Sequence, residues 1–389
     1  MRQSLAVCQI LPVMDEGGME RGTVDIARAV VEAGGRALVI SAEGRLVPDL
    51  LRAGGHHMDL RTEPLKAPMR HWRAFQVGGM LKQQKFTILH TRTPATTLLG
   101  LMAARRTGAR VVATAHGLED LDGNTDQKAI AALRQADRVI AVSDYVAETL
   151  SRTHGVPADR IVTISPGINL ARYNPAAVKA DRFIKLAQKW MLPDGVPVIV
   201  VPARLVREKG QLALIKALTH LKDLSFFCLL VGDETVDDAY REEVEETITS
   251  AGLEGKVRLT GYCTDMPAAY MLADVVVSPN VTPEAFGRIT AEALAMGRPV
   301  VASTVGGSAE LVTPGETGWL ASPEDSAALS IAIRQALQFA PAAREKLAMA
   351  ARALVARDYS LDRMCNETLD LYRSLDAANT ATGTEHRTA

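Results

Sequence analysis

Short apolar runs recur along the chain, each followed by a turn and then a stretch with helical spacing. Leu5–Leu11 carries no charge, as expected of a strand covered on both faces. A turn with Gly17-Gly18 follows, and Gly22–Ala33 repeats its apolar positions at helical spacing until Gly34-Gly35 stops it. Ala37–Ser41, Thr87–His90, Arg110–Ala115, Arg138–Val142 and Ile161–Ile164 read as further strands with helical patterns between them. After Pro166-Gly167 and Tyr173-Asn174-Pro175 the rhythm pauses. A helix over Lys179–Met191 leads to Pro193-Asp194-Gly195, and the alternation restarts. The second series has strands at Val198–Val201, Phe226–Val231, Val257–Leu259, Val275–Val277 and Val300–Ala302. Its helices include Gln211–Leu221, Arg241–Ala251 and Arg288–Met296.

Strands alternating with helices predict parallel, doubly wound sheets. The chain has 389 residues, beyond the size at which one core stops growing, so two domains are expected. The division predicted is a Rossmann-like domain over 1–175 and a second over 196–360, facing each other across a cleft. Residues 361–376 are expected to form a helix packing back on the first domain, and 377–389 a disordered tail. Ligands of such sheets bind at the carboxyl ends of the strands.

Composition narrows the class. Apolar residues make up 47% and charged residues 23%, ordinary for a globular protein. Cys8, Cys228, Cys263 and Cys365 are far apart and form no CxxC pair, which fits a reducing cytoplasm better than a disulfide framework. No Cys/His/carboxylate cluster has the spacing of a structural metal site. No run approaches a membrane span and no signal segment opens the chain, so a cytoplasmic protein is expected. Net charge is −1, and no nucleic-acid partner is expected. The charge is uneven, however. Residues 1–175 hold 22 basic and 17 acidic residues, and 61–92 holds seven basic residues against Glu63. Arg61, Lys66, Arg70, Arg73, Lys82, Lys85 and Arg92 form either a solvated face or a contact with an anionic membrane surface.

The sharpest chemical feature is the stretch from Pro283 to Ala302. The strand Val275–Val277 ends in a loop, a helix starts near Gly287, Gly297 caps its end and Pro299 prevents continuation. The free N–H groups at that helix start make an anion site, and Gly287 lets a phosphate approach the backbone. Glu292 in the second turn suits vicinal hydroxyls of a ribose, and Glu284, eight positions earlier, suits those of a sugar. Alone, this E-x7-E spacing is weak. The strand–loop–helix–Gly–Pro–strand frame makes it specific.

Here the chain resembles glycosyltransferase family 4, the retaining GT-B enzymes, whose signature is an E-x7-E segment with FG inside and an AMxxGxPVVA ending. The resemblance implies that Glu284 contacts the donor sugar, that Phe286, Gly287 and Arg288 hold the distal phosphate, and that Glu292 holds the ribose. A second similar stretch, Pro202–Gly210, implies that Arg204 and Lys209 neutralise the leaving diphosphate. Glu16–Arg21 resembles the family's GGxER loop, which assigns Gly17 and Gly18 to donor phosphates. His116, after the strand Arg110–Ala115, is similar to the family's sugar-contacting histidine, and Ser143 stands either as a helix cap or as a ligand contact. Tyr262 and Cys263 lie where family members pair backbone groups with the nucleobase.

The similarity runs from about residue 5 to 375 and is strongest over 198–320. It departs at Ser165-Pro166-Gly167-Ile168-Asn169, where the family has PNGxD, and at Gly232-Asp233-Glu234, where it has GDG. It implies transfer of a hexosyl-type group with retention from a UDP- or GDP-sugar to a glycan or glycolipid acceptor of the cell envelope. No cofactor and no metal are expected, because Asp120-Leu121-Asp122 has the DxD letters but lies remote from the signature. Peripheral contact with the inner face of the cytoplasmic membrane is a further expectation. The competing readings are a sugar-nucleotide-modifying enzyme and a silent sugar-nucleotide binder on the same fold. The complete Arg/Lys/Glu/Glu set argues against silence.

Overall fold

The structure, a computed structural model, describes residues 4–117 and 127–385. Asp120 and Asp122 therefore lie outside the described residues, as do 386–389 of the expected tail. The chain divides into two compact units, Met1–Gly167 with Leu361–Ala389, and Ile168–Ser360.

The first unit holds a seven-stranded parallel sheet in the order β3-β2-β1-β4-β5-β6-β7. Its strands are β1 (Ala6–Val13), β2 (Arg36–Ala42), β3 (His56–Asp59), β4 (Ile88–Thr91), β5 (Arg110–Ala115), β6 (Arg138–Ala141) and β7 (Ile161–Thr163). Helices α1 (Gly18–Glu32), α2 (Val47–Arg52), α3 (Ala67–Gln84), α4 (Pro94–Ala104), α5 (Gln127–Leu133) and α6 (Asp144–Arg152) connect them. The register of β1 on β2 pairs Val7 with Ala37 and Ile10 with Ile40, and on its other side Cys8 meets Leu89 of β4. Both faces of β1 are covered, as its uncharged sequence requires. The edge strand β3, which no apolar run announces, is largely exposed.

The second unit holds a six-stranded parallel sheet in the order β10-β9-β8-β11-β12-β13. Its strands are β8 (Val198–Pro202), β9 (Phe227–Val231), β10 (Val257–Leu259), β11 (Val275–Ser278), β12 (Val300–Ser303) and β13 (Gly318–Ala321). Its helices are α7 (Ala180–Lys189), α8 (Gln211–Thr219), α9 (Asp238–Ser250), α10 (Met266–Leu272), α11 (Arg288–Ala295), α12 (Ser326–Leu337) and α13 (Pro341–Asp358). Valines of β8, β11 and β12 pack with Leu214, Leu218 and Ile333 of the flanking helices into one core.

The last helix, α14 (Leu361–Glu385), belongs to the first unit. Leu369, Tyr372 and Leu375 enter the core that Val7, Leu11 and Val39 also build. The helix passes the expected end at 376 and continues to Glu385. An established helix extends without a new nucleation cost, so a small polar sequence can follow it. Cys8 and Cys228 are buried, and all four cysteines are free thiols. Among the described residues no helix is long and apolar enough to cross a membrane, and no group of three or more His, Cys, Asp or Glu could hold a metal ion.

Candidate active site

The second unit brings most of the predicted site together at the carboxyl edge of its sheet. After β11 the chain turns through the Glu284 loop into α11. Gly287 caps that helix with φ +95°, a left-handed conformation that a side chain would strain, and a Cβ there would lie 2.3 Å from Ser308 Oγ. Gly306 also has positive φ, and a Cβ on it would lie 2.4 Å from the Glu284 carbonyl oxygen. The Gly307 N–H donates to that oxygen at 2.7 Å. Two glycine-rich turns are thereby laid against each other, and they fix the backbone of Glu284.

The Glu284 side chain is held from three directions. The Lys209 ammonium donates to Oε1, Ser308 Oγ donates to Oε2 at 2.9 Å, and Asn280 adds a side-chain hydrogen bond. Burial alone would raise the Glu284 pKa. The Lys209 charge and these three donors outweigh it and lower the pKa below the usual glutamate value. Lys209 is placed by a short 3-10 turn, Arg207–Lys209, that follows β8 and ends at Gly210.

Glu292 is tuned the other way. Burial pushes its pKa up, and the Arg288 charge, hydrogen bonds from Tyr173 and Tyr270, and the Arg172 charge only partly counter this. Its carboxylate opens on a cavity of about 350 Å³, also lined by Arg172, Arg204, Gly232, Tyr262, Cys263, Tyr270 and Ile289. Arg204 is exposed at the end of β8. Its loop is fixed by Gln211, which donates to the Arg204 carbonyl at 2.9 Å, and by the Leu205 N–H, which donates to the Asp233 carbonyl at 2.8 Å. Tyr262 is 64% exposed and Cys263 partly buried, both at this mouth. The Phe286 side chain is buried, with its ring 5.9 Å from that of Tyr359, so only its backbone is left to face a ligand. Arg204, Tyr262, Cys263 and Glu292 therefore share one cavity, while Lys209, Glu284 and Gly287 form an adjoining cluster. Tyr173, Tyr270, Arg172, Asn280 and Ser308 escaped the sequence reading, since each joins the site only through the tertiary fold.

Gly17, Gly18 and His116 belong to the first unit and lie at the carboxyl edge of its sheet. Gly17 caps α1, and the Glu20 carboxylate folds back to within 2.1 Å of where a Gly17 Cβ would stand. His116 follows β5, with Nε2 3.5 Å from Arg92 Nη1. Arg92, at the end of β4, is buried and donates to Gln9 of β1. Burial lowers its guanidinium pKa to about 10. His90 bridges Tyr372 of α14 and Thr114 of β5, at 2.5 and 2.6 Å. Ser143 caps α6, accepting from the Val146 N–H.

Two doubly wound parallel-sheet domains, one with a Gly287-capped loop–helix turn and its acidic pair, are the architecture of a GT-B glycosyltransferase. Family models agree: that for Glycosyl transferases group 1 matches residues 183–354, and that for Glycosyltransferase Family 4 matches 16–172. The chain belongs to glycosyltransferase family 4. It is 26% identical to a D-inositol 3-phosphate glycosyltransferase of Salinispora tropica, over 96% of this chain and 83% of that protein. A crystal structure of a glycosyltransferase from Rickettsia africae superposes with a TM-score of 0.88 at 29% identity, covering 96% of this chain and 98% of that one. Anabaena HepE in complex with UDP-glucose shares the fold, with a TM-score of 0.80 at 24% identity over 95% and 99% of the two chains.

Proposed function

We propose that the chain transfers a sugar, with retention of configuration, from a UDP- or GDP-sugar to a hydroxyl of a cell-envelope glycan or glycolipid. The observation that carries this reading is the Lys209–Glu284 pair beside the Gly287 turn, next to the cavity shared by Arg204 and Glu292. A departing diphosphate takes up the electron pair of the broken C1–O bond. Arg204, Lys209 and the amides at the start of α11 stabilise that charge. Glu284, kept ionised by Lys209, accepts from sugar hydroxyls and orients the ring. Glu292 accepts from the ribose, and Tyr262 and Cys263 flank the base. Gly17, Gly18 and His116 keep the donor roles that the resemblance implies.

With two cations and a helix terminus meeting the diphosphate, the reaction proceeds without a metal and without a cofactor. The test is a panel of UDP- and GDP-sugars incubated with EDTA and followed for nucleoside-diphosphate release. One donor should be consumed slowly without acceptor. Altered sugar nucleotide with no release would favour a sugar-nucleotide-modifying enzyme. Binding without turnover, even when acceptors are offered, would favour a silent binder.

The proposal places the protein in the cytoplasm, at the inner face of the membrane. Helix α3 supports this. Met69, Trp72 and Phe75 are exposed on it, at 46%, 52% and 58%. The guanidinium of Arg73 lies 4.8 Å from the Trp72 ring centre, and that of Arg106 4.7 Å from the Phe75 ring centre. Basic residues framing exposed aromatics suit an anionic lipid surface.

A further inference from the structure

The ribose-facing carboxylate is not free to choose its own orientation. Glu292 projects from α11, and two phenols from other elements reach it. Tyr270, on α10 and fully buried, donates its hydroxyl to Oε2 at 3.0 Å. Tyr173, from the segment that opens the second unit, donates as well. The two rings pack edge to face with centroids 6.2 Å apart, so each limits the other's rotation. Helix α10 is itself anchored. Asp265 caps it, accepting from the Ala268 N–H at 3.2 Å, and Arg182 grips Asp265 with two hydrogen bonds of 2.9 and 2.6 Å. The Tyr270 hydroxyl thus has a fixed origin.

A carboxylate offers about four acceptor directions. Two phenols occupy part of that set on the protein side and leave the rest turned to the cavity that Glu292 and Tyr270 both line. Donors to the carboxylate favour its ionised form, which only accepts. A vicinal diol needs acceptors, because its hydroxyls donate. Arg172 and Arg288 supply the neighbouring positive charge.

We infer that Tyr270 and Tyr173 are positioning residues for the nucleotide ribose: they aim the Glu292 carboxylate at the 2′- and 3′-hydroxyls and so set the discrimination between ribo- and deoxyribonucleotides. The inference rests on the reading of Glu292 as the ribose contact, and one experiment separates the two. Calorimetric affinities are measured for UDP and its 2′,3′-dideoxy form, and for GDP and its dideoxy form, in the wild type, Glu292→Gln, Tyr270→Phe and Tyr173→Phe. The wild type should prefer the ribonucleotide by about tenfold or more, as expected for hydrogen bonds to a charged group. Glu292→Gln should collapse that ratio toward one. Each Tyr→Phe change should lower the ratio by about threefold or more while leaving dideoxynucleotide affinity within about twofold of the wild type, since a lost orientation touches only the diol.

A merely structural tyrosine would weaken both ligands equally or neither, and either result overturns the inference while the ribose reading stands. An unchanged ratio in Glu292→Gln overturns both, as does binding of neither UDP nor GDP by the wild type. Tyr173 is only partly buried, so Tyr173→Phe keeps the test decisive if Tyr270→Phe fails to fold.

Discussion

Glu284 and Glu292 are eight positions apart and carry opposite shifts, the first lowered by Lys209 and its hydrogen-bond donors, the second raised by burial. The consequences for stability have opposite signs. A lowered pKa contributes stability above the ordinary glutamate value, and that contribution is lost as pH falls through the lower folded value. A raised pKa means that the fold disfavours the ionised form, so the Glu292 site is least favourable at neutral pH and recovers on acidification. Lys209→Met leaves Glu284 with Ser308 and Asn280 but no cation. Urea unfolding at pH 7 should then show a loss of about 1–3 kcal/mol, and the difference from wild type should shrink as pH falls below the ordinary glutamate value and through the lower folded one. An unchanged stability across that range would mean that the pair has no energetic role. Turnover should fall by about 10²–10³-fold in the same variant, as for loss of a charge-stabilising donor. The acidic pair was legible in the sequence because its spacing is local to one loop and helix. Tyr270 was not: inside an apolar stretch a tyrosine reads as core, and only the tertiary fold, which brings its hydroxyl within hydrogen-bond reach of Glu292, shows that it meets an acid. Phe286 was legible as a position, but its ring proves to be packing, which leaves the backbone to face a ligand.

At the scale of elements, the turn into α11 carries the site. Its geometry depends on Gly287 at φ +95° against Ser308. Gly287→Ala should cost about 1–2 kcal/mol for the left-handed conformation alone, more with the Ser308 contact, and should abolish measurable donor binding, because the displaced loop also carries Glu284. Thermal melting and nucleotide titration check the two parts separately. Wild-type affinity in this variant would show that the loop geometry is not what binds the donor. Strands β8, β9, β11 and β12 were legible because they are buried on both faces and read as short uncharged, largely apolar runs. Strand β3 was not, since an exposed edge strand needs no apolar run, and its sequence HHMD has none. The helical continuation of α14 was hidden for a related reason: its later residues have weak propensity, and the turns before them carry the helix forward.

For the whole molecule, two doubly wound units followed directly from a strand–helix rhythm that stops near Pro166 and starts again near Val198. What the rhythm cannot convey is which surface is left apolar. Periodicity alone does not separate the solvent face of α3, with Trp72 and Phe75, from its core face, with Ala74, Val77 and Leu81. If α3 meets an anionic membrane, Trp72→Ser with Phe75→Ser should reduce co-sedimentation with phosphatidylglycerol vesicles by about tenfold without changing the melting temperature by more than about 2 °C. Reversing Arg70, Arg73, Lys82 and Lys85 should abolish it, and added salt should weaken it. Sedimentation unaffected by both sets of changes would remove the membrane from the account. The central claim, donor turnover at the second unit's sheet edge, is tested most directly by nucleoside-diphosphate release from the nucleotide-sugar panel in EDTA, run in parallel on wild type, Lys209→Met and Glu292→Ala. The account predicts that a single donor is consumed by the wild type and that both variants lose the activity while remaining folded. Release that requires a divalent metal, or that survives in both variants, would contradict it.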